Sequence, residues 1–281
     1  MKTAKKLLIL IGLVSSITCH AGSAFPPASI GVSPSRVELV VQNKRTTGSA
    51  TVMNFTDKPI HVAASLAGFD LDENSDFREL PPTVGSLPRA MMLNPADFTI
   101  PPHGSQTVRF AIMPERLEGS GEHRAMLFFS ELVDSNQASV QINFRLGIPI
   151  YAQLGEVDET AQIHDLKITN DRSHLELDIS ALGNKQVRPT GYYLWWPVGN
   201  FPGERVAFRK LKSLASGGDS SLPADVVGGK LVTKPVFPGA RREVAAKLTI
   251  PEGVGDYVLA VHVDAGDQSL QRTIKSIPPQ S

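Results

Sequence analysis

Val140-Gln141-Ile142-Asn143-Phe144-Arg145-Leu146-Gly147-Ile148-Pro149-Ile150 carries a bulky apolar side chain at every even position. Successive strand side chains point to opposite faces, so the stretch reads as one long strand with a single apolar ridge. Pro149 lacks an N–H and cannot donate to a ladder, which suits an edge strand or a strand end. A long apolar edge is normally an aggregation hazard. The ridge therefore belongs either to a core or to a pairing with another chain, and that choice decides what the protein does.

The pattern extends in both directions. Upstream, short alternating segments at Val37–Val41, Thr51–Phe55, Ile60–Leu66, Phe98–Ile100 and Val108–Ile112 are separated by turn residues such as Asp57-Lys58-Pro59 and Pro101-Pro102-His103-Gly104. Asp70–Phe77 is acidic and polar and reads as a loop. Ala125–Leu132 is almost continuously apolar, the mark of a strand buried on both faces. About seven strands at this spacing predict an immunoglobulin-like sandwich. Downstream, Gly155 and three acidic residues interrupt the pattern near Leu154–Thr160, which reads as a linker. A second set of strands follows at Leu166/Ile168, Leu175/Leu177/Ile179 and Tyr257/Leu259/Val261/Val263, with Gly266 marking a hairpin turn and Ser216–Ser221 a Gly/Ser-rich loop. The fold class is all-β, two consecutive immunoglobulin-like β-sandwiches. The domains are 25–153, carrying the long alternating strand, and 157–277.

The first 24 residues form a separate object. Lys2, Lys5 and Lys6 precede the apolar run Leu7–Val14, and small residues follow at Ala21–Ala24. That order is a secretory signal peptide, too short to span a membrane. Its removal takes away three lysines and no acid, leaving 25 basic against 28 acidic residues, a net charge of −3. This balance offers no footprint for nucleic acid. The single cysteine, Cys19, leaves with the signal, so the exported protein holds its fold by its core alone.

Chemistry-bearing patterns are sparse. His61, His103, His123, His164, His174 and His262 are scattered without zinc spacing. No Gly-x-Ser-x-Gly elbow is present, and Gly228-Gly229-Lys230 lacks the rest of a phosphate loop. Asp70, Asp72, Glu73 and Asp76 lack the glycine and terminal glutamate of a calcium loop, and read as a solvated acidic loop. Tyr192-Tyr193 and Trp195-Trp196 face opposite ways in pairs, so one member of each is assigned to the core and the other to the surface or a domain junction. No metal, cofactor or enzymatic activity is predicted. Arg36, after Pro34-Ser35 and just before the alternating Val37–Val41, offers a planar fork for a carboxylate.

Several segments in order resemble the periplasmic chaperones of bacterial chaperone–usher pili, the PapD-like family. They are Gly31-Val32-Ser33-Pro34-Ser35-Arg36-Val37, Val52-Met53-Asn54-Phe55-Thr56-Asp57-Lys58-Pro59, Pro95-x-x-Phe98-x-Ile100-x-Pro102-x-Gly104-Ser105-Gln106-Thr107-Val108-Arg109, Gly121-Glu122-His123-Arg124 with Phe128-Phe129, and then the alternating strand. The match covers most of residues 30–151. The second half agrees in architecture.

The resemblance implies a boomerang of two immunoglobulin-like domains that lends the last strand of the first to a pilin subunit lacking one. It implies a donor strand with Val140, Ile142, Phe144, Leu146 and Ile148, and Arg36 as an anchor for the subunit's terminal carboxylate. The family's second basic anchor falls on Pro149, and Ala125 stands where an acidic residue follows Arg124. Glu122 is offered in its place as a partner for Arg109. These departures point to a divergent or archaic branch. The implied partners are pilin subunits and an outer-membrane usher, with self-dimerisation through the exposed strand, in the periplasm. Nucleic acid and membrane insertion are not expected. The alternative is a secreted β-sandwich adhesin or carbohydrate-binding protein using Trp195 and Trp196.

Overall fold

The computed structural model describes residues 29–42, 44–72, 75–132, 144–218, 221–252 and 255–276. The signal segment and the donor positions Val140 and Ile142 lie outside them. The first set of elements is β1 (Ile30–Ser33), β2 (Val37–Val41), β3 (Thr46–Asn54), β4 (Ile60–Leu71), β5 (Phe77–Leu80), the single turn α1 (Leu87–Ala90), β6 (Met91–Asn94), β7 (Asp97–Ile100), β8 (Ser105–Ile112), β9 (Gly121–Glu131) and β10 (Arg145–Leu154). They form two facing sheets, ordered β1-β3-β8-β6 and β2-β10-β9-β4-β5, with β7 also paired to β4. Pro34-Ser35-Arg36 carries the chain from one sheet to the other, so β1 runs antiparallel to β3 while β2 runs parallel to β10.

Alternation builds the core between these sheets. Val52, Val62, Val108, Phe110, Ile112, Leu127, Phe129, Ile148 and Ile150 are buried together. β9 is apolar from Ala125 to Phe129 because both of its faces are covered there. Ala125, Leu127 and Phe129 face this core, whereas Met126 and Phe128 join a separate aromatic cluster on the other side. Asn54 locks the sandwich end. Its Nδ2 donates to the carbonyls of Lys58 at 2.7 Å and Pro101 at 3.1 Å, and its Oδ1 accepts from the Thr56 N–H and hydroxyl at 2.9 and 2.7 Å. Two turn segments quoted for the resemblance are thereby tied through one buried amide.

The second set is β11 (Ala161–Ile168), β12 (His174–Ala181), β13 (Thr190–Pro197), the helix α2 (Glu204–Ala215), β14 (Val227–Val232), β15 (Arg241–Lys247), β16 (Tyr257–Ala265) and β17 (Gln268–Ser276). Its sheets are β11-β12-β15 and β14-β13-β16-β17. Gly266, with φ of 59°, turns the β16–β17 hairpin. The molecule is thus all-β in its framework, two consecutive β-sandwiches.

Three local expectations are corrected. Residues 70–77 are not a simple loop: β4 continues through Leu71 and pairs with β5, from Gly68–Leu80 to Leu71–Phe77. Phe69 is buried and holds the strand in place, while Asp70 turns outward to Arg78 at 3.5 Å. Nor is the acidic segment merely solvated, because Lys234 donates to the Ser75 carbonyl at 2.7 Å and lies 3.6 Å from Asp76. The helix α2 was not expected. Its Ala207, Phe208, Leu211 and Leu214 pack over Tyr192, Leu194 and Trp196, so the aromatic strand β13 is covered on both faces rather than facing solvent or a domain junction on one.

Candidate functional site

β10 pairs with β9 along its whole length, from Arg145–Ser130 to Leu154–Gly121. Its other side pairs with β2 only from Ile150–Val37 to Leu154–Val41. Among the described residues, Arg145 to Pro149 therefore present one unpaired backbone edge. Pro149 stands at the junction, one residue before the pairing with β2 begins, where a missing N–H does least harm.

The two faces of this segment differ. Phe144 and Leu146 are half-buried against the first core, and Ile148 and Ile150 are fully buried in it. The ridge is therefore graded, seated in the home sandwich at its C-terminal end and released from it toward residue 144. On the opposite face, the Arg145 guanidinium lies 3.5 Å from the centroid of the Phe128 ring and makes a bidentate pair with Glu79 at 2.6 and 3.0 Å. Gly147 faces Met126 there, and a Cβ at this position would come 2.8 Å from Met126 Sδ and push that side chain aside. These contacts hold the unpaired segment extended without using its free edge.

Arg36 immediately precedes β2, whose first residue registers with Ile150, so it marks the end of the unpaired edge. It is exposed, and its Nε lies 2.8 Å from Glu38 Oε1. Glu38, Tyr151 and Arg124 follow in one row across β2, β10 and β9. Burial pushes the Tyr151 phenol up, opposed by Arg188, Arg124 and Arg36.

The row continues into the seam between the sandwiches. Phe237 from the second packs edge-on against Phe69 at 5.7 Å, and Arg124 stacks over its ring at 3.8 Å. Arg242 donates to the Leu71 carbonyl. The Glu122 N–H donates to the Asn184 carbonyl at 2.9 Å, while both Glu122 carboxylate oxygens are buried. Burial pushes this carboxyl up to about 7, against the pull of Arg124 and Lys185. Glu122 does not partner Arg109 as the sequence suggested. Arg109 belongs to β8 in the other sheet, between Ser49 and Asn94, whereas Glu122 lies on β9 at the seam.

Sequence reasoning singled out Arg36 and the β10 ridge, and the structure brings these to one end of one sheet. It missed Tyr151, Arg188 and Phe237. Tyr151 continues the odd face of the strand and was readable from parity. Arg188 and Phe237 lie far along the chain in segments without motif, and only the packing of the two sandwiches delivers them.

No family model and no curated protein sequence matches the chain. Among solved structures it is similar to several fimbrial chaperones. The class 5 fimbriae chaperone CfaA matches at 11% identity and a TM-score of 0.45, covering 89% of this chain and 99% of that one. The chaperone–tip adhesin complex CsuC–CsuE of the archaic Csu pili of Acinetobacter baumannii matches at 12% and 0.44, covering 90% and 100%. The E. coli chaperone DraB matches at 12% and 0.40, covering 89% and 98%.

Proposed function

We propose that this chain is a periplasmic chaperone that binds, folds and caps pilus subunits by donor-strand complementation and delivers them to an outer-membrane usher. One observation carries the reading: a half-strand whose backbone edge is unpaired among the described residues, whose apolar ridge is only half-buried at Phe144 and Leu146, and which ends beside the arginine Arg36. Strand addition to an exposed edge gives affinity through the main chain and specificity through alternate side chains, and chaperone–pilin complementation is an established case of it. In this reading Val140, Ile142, Phe144 and Leu146 fill the subunit's open groove. Burying each contributes roughly 1.5–3 kcal/mol, which outweighs any exposed rim charge. Ile148 stays in the home core and fixes the register. Arg36 receives the subunit's terminal carboxylate, with the cations around Tyr151 standing in for the lysine that Pro149 replaces. When free, the same edge invites pairing between two copies.

The test is co-expression with a pilin subunit of a chaperone–usher pilus, and affinity pull-down of wild type, Phe144→Glu and Leu146→Glu. A one-to-one complex lost in both variants, with unchanged melting of the free proteins, supports strand donation. Normal subunit protection by the folded variants refutes it.

A further inference from the structure

A second surface stands apart from the β10 edge and does not depend on the subunit reading. On the outer face of the β1-β3-β8-β6 sheet, a groove of about 650 Å³ crosses β3, β8 and β6. Arg45, Thr47, Ser49, Met92, Asn94 and Arg109 line it, and no acidic residue does. Arg109 lies directly between Ser49 and Asn94 on the neighbouring strands, and Met92 is 57% exposed beside them. Among the described residues neither Arg45 nor Arg109 has a carboxylate partner, whereas Arg36, Arg78, Arg145, Arg241 and Arg272 each face one. The same corner offers unpaired backbone as well. Among the described residues β6 is the last strand of this sheet, bonded to β8 on one side only.

We propose that the β6 edge and the arginine groove together dock an extended segment of a partner protein carrying alternate acidic side chains. A strand added to β6 lies about 4.8 Å from it and projects every second side chain onto the outer face, beside Met92 and Asn94. A glutamate there points toward Arg109, one strand further in, and the guanidinium fork takes both oxygens of the carboxylate. Arg45, near the start of β3, provides a second cation further across the groove. β6 has only four residues, so its backbone can supply few hydrogen bonds, and the two arginines must provide the discrimination. Because this sheet is the one opposite β10, a segment bound here leaves the β10 edge open.

The experiment is NMR titration of the full-length mature protein, followed at the Met92 methyl and the Leu93 and Asn94 amides. The probes are an octapeptide alternating glutamate and threonine, its lysine counterpart and inorganic phosphate. The glutamate peptide is expected to give saturable shifts at these positions that weaken several-fold between about 25 and 150 mM salt, as surface charge pairs do. The lysine peptide is expected to give none, and an Arg45→Ser/Arg109→Ser double variant to bind at least tenfold more weakly. Both arginines are exposed, so the variant's unchanged spectrum elsewhere serves as the control for folding. Absence of saturable shifts at β6, equal binding by the double variant, or full competition by phosphate would each overturn the proposal. Shifts confined to β10 would overturn it too, and would assign the peptide to the donor edge instead.

Discussion

Replacing Glu122 by glutamine should remove a pH dependence that the wild-type fold carries in its seam. The Glu122 carboxyl is raised from its ordinary 4.5 to about 7 because burial strips water from the charged form, and Arg124, the Gln186 backbone and Lys185 only partly offset this. Below about pH 4.5 the group is protonated in the folded and the unfolded chain, and contributes nothing to the difference. As pH rises toward 7 the unfolded chain releases its proton while the folded chain keeps it, so stability falls across this window. Above 7 the loss is complete. Each tenfold difference in proton affinity is worth about 1.4 kcal/mol, giving an upper limit of about 3.5 kcal/mol, and residual solvent screening reduces this to roughly 1–2 kcal/mol. Glutamine has the same shape and no charge to desolvate. Urea unfolding at pH 5 and pH 8 should show wild type losing that increment while Glu122→Gln loses less by about the same amount. Parallel losses in the two proteins would refute the assignment of a buried, charge-penalised carboxyl.

Other substitutions separate structure from capture. Arg36→Ala should change stability by less than about 0.5 kcal/mol, because the exposed pair with Glu38 contributes little, yet weaken subunit capture at least tenfold in a pull-down titration. Asn54→Ala should cost about 2–3 kcal/mol in urea unfolding, since it strands the Lys58 and Pro101 carbonyls at a buried turn. Phe237→Ala should cost about 3 kcal/mol by the same measurement, and spin-label distances between the sandwiches should broaden as the contacts to Phe69 and Arg124 are lost.

The framework was legible because strand parity is a local property. The even ridge of β10, the doubly apolar β9 and the Gly266 hairpin each follow from side chains alternating along an extended backbone. Where short-range pattern and burial disagreed, the reading failed. α2 carries a short apolar stripe at Ala207, Leu211 and Leu214, a helical period lost among strand signals in a β-rich chain. The acidic hairpin beyond Phe69 looked like a loop because its ladder is held by a neighbouring sheet and by Lys234 and Arg242, not by its own side chains.

By itself the sequence determined that the chain builds β-sandwiches, that one strand carries an apolar ridge on its even positions with Pro149 near its end, and that Arg36 precedes the alternating strand Val37–Val41. Periodicity and turn chemistry act over a few residues and suffice for those statements. Only the tertiary structure decided which part of the ridge is free. That depends on where β2 stops pairing with β10, a register between segments more than a hundred residues apart. It also decided that Phe237 packs on Arg124 and Phe69, that the Glu122 carboxylate is buried at the seam, and that Arg109 has no carboxylate partner among the described residues. Burial and charge pairing are properties of surfaces meeting in space, and no local pattern encodes them.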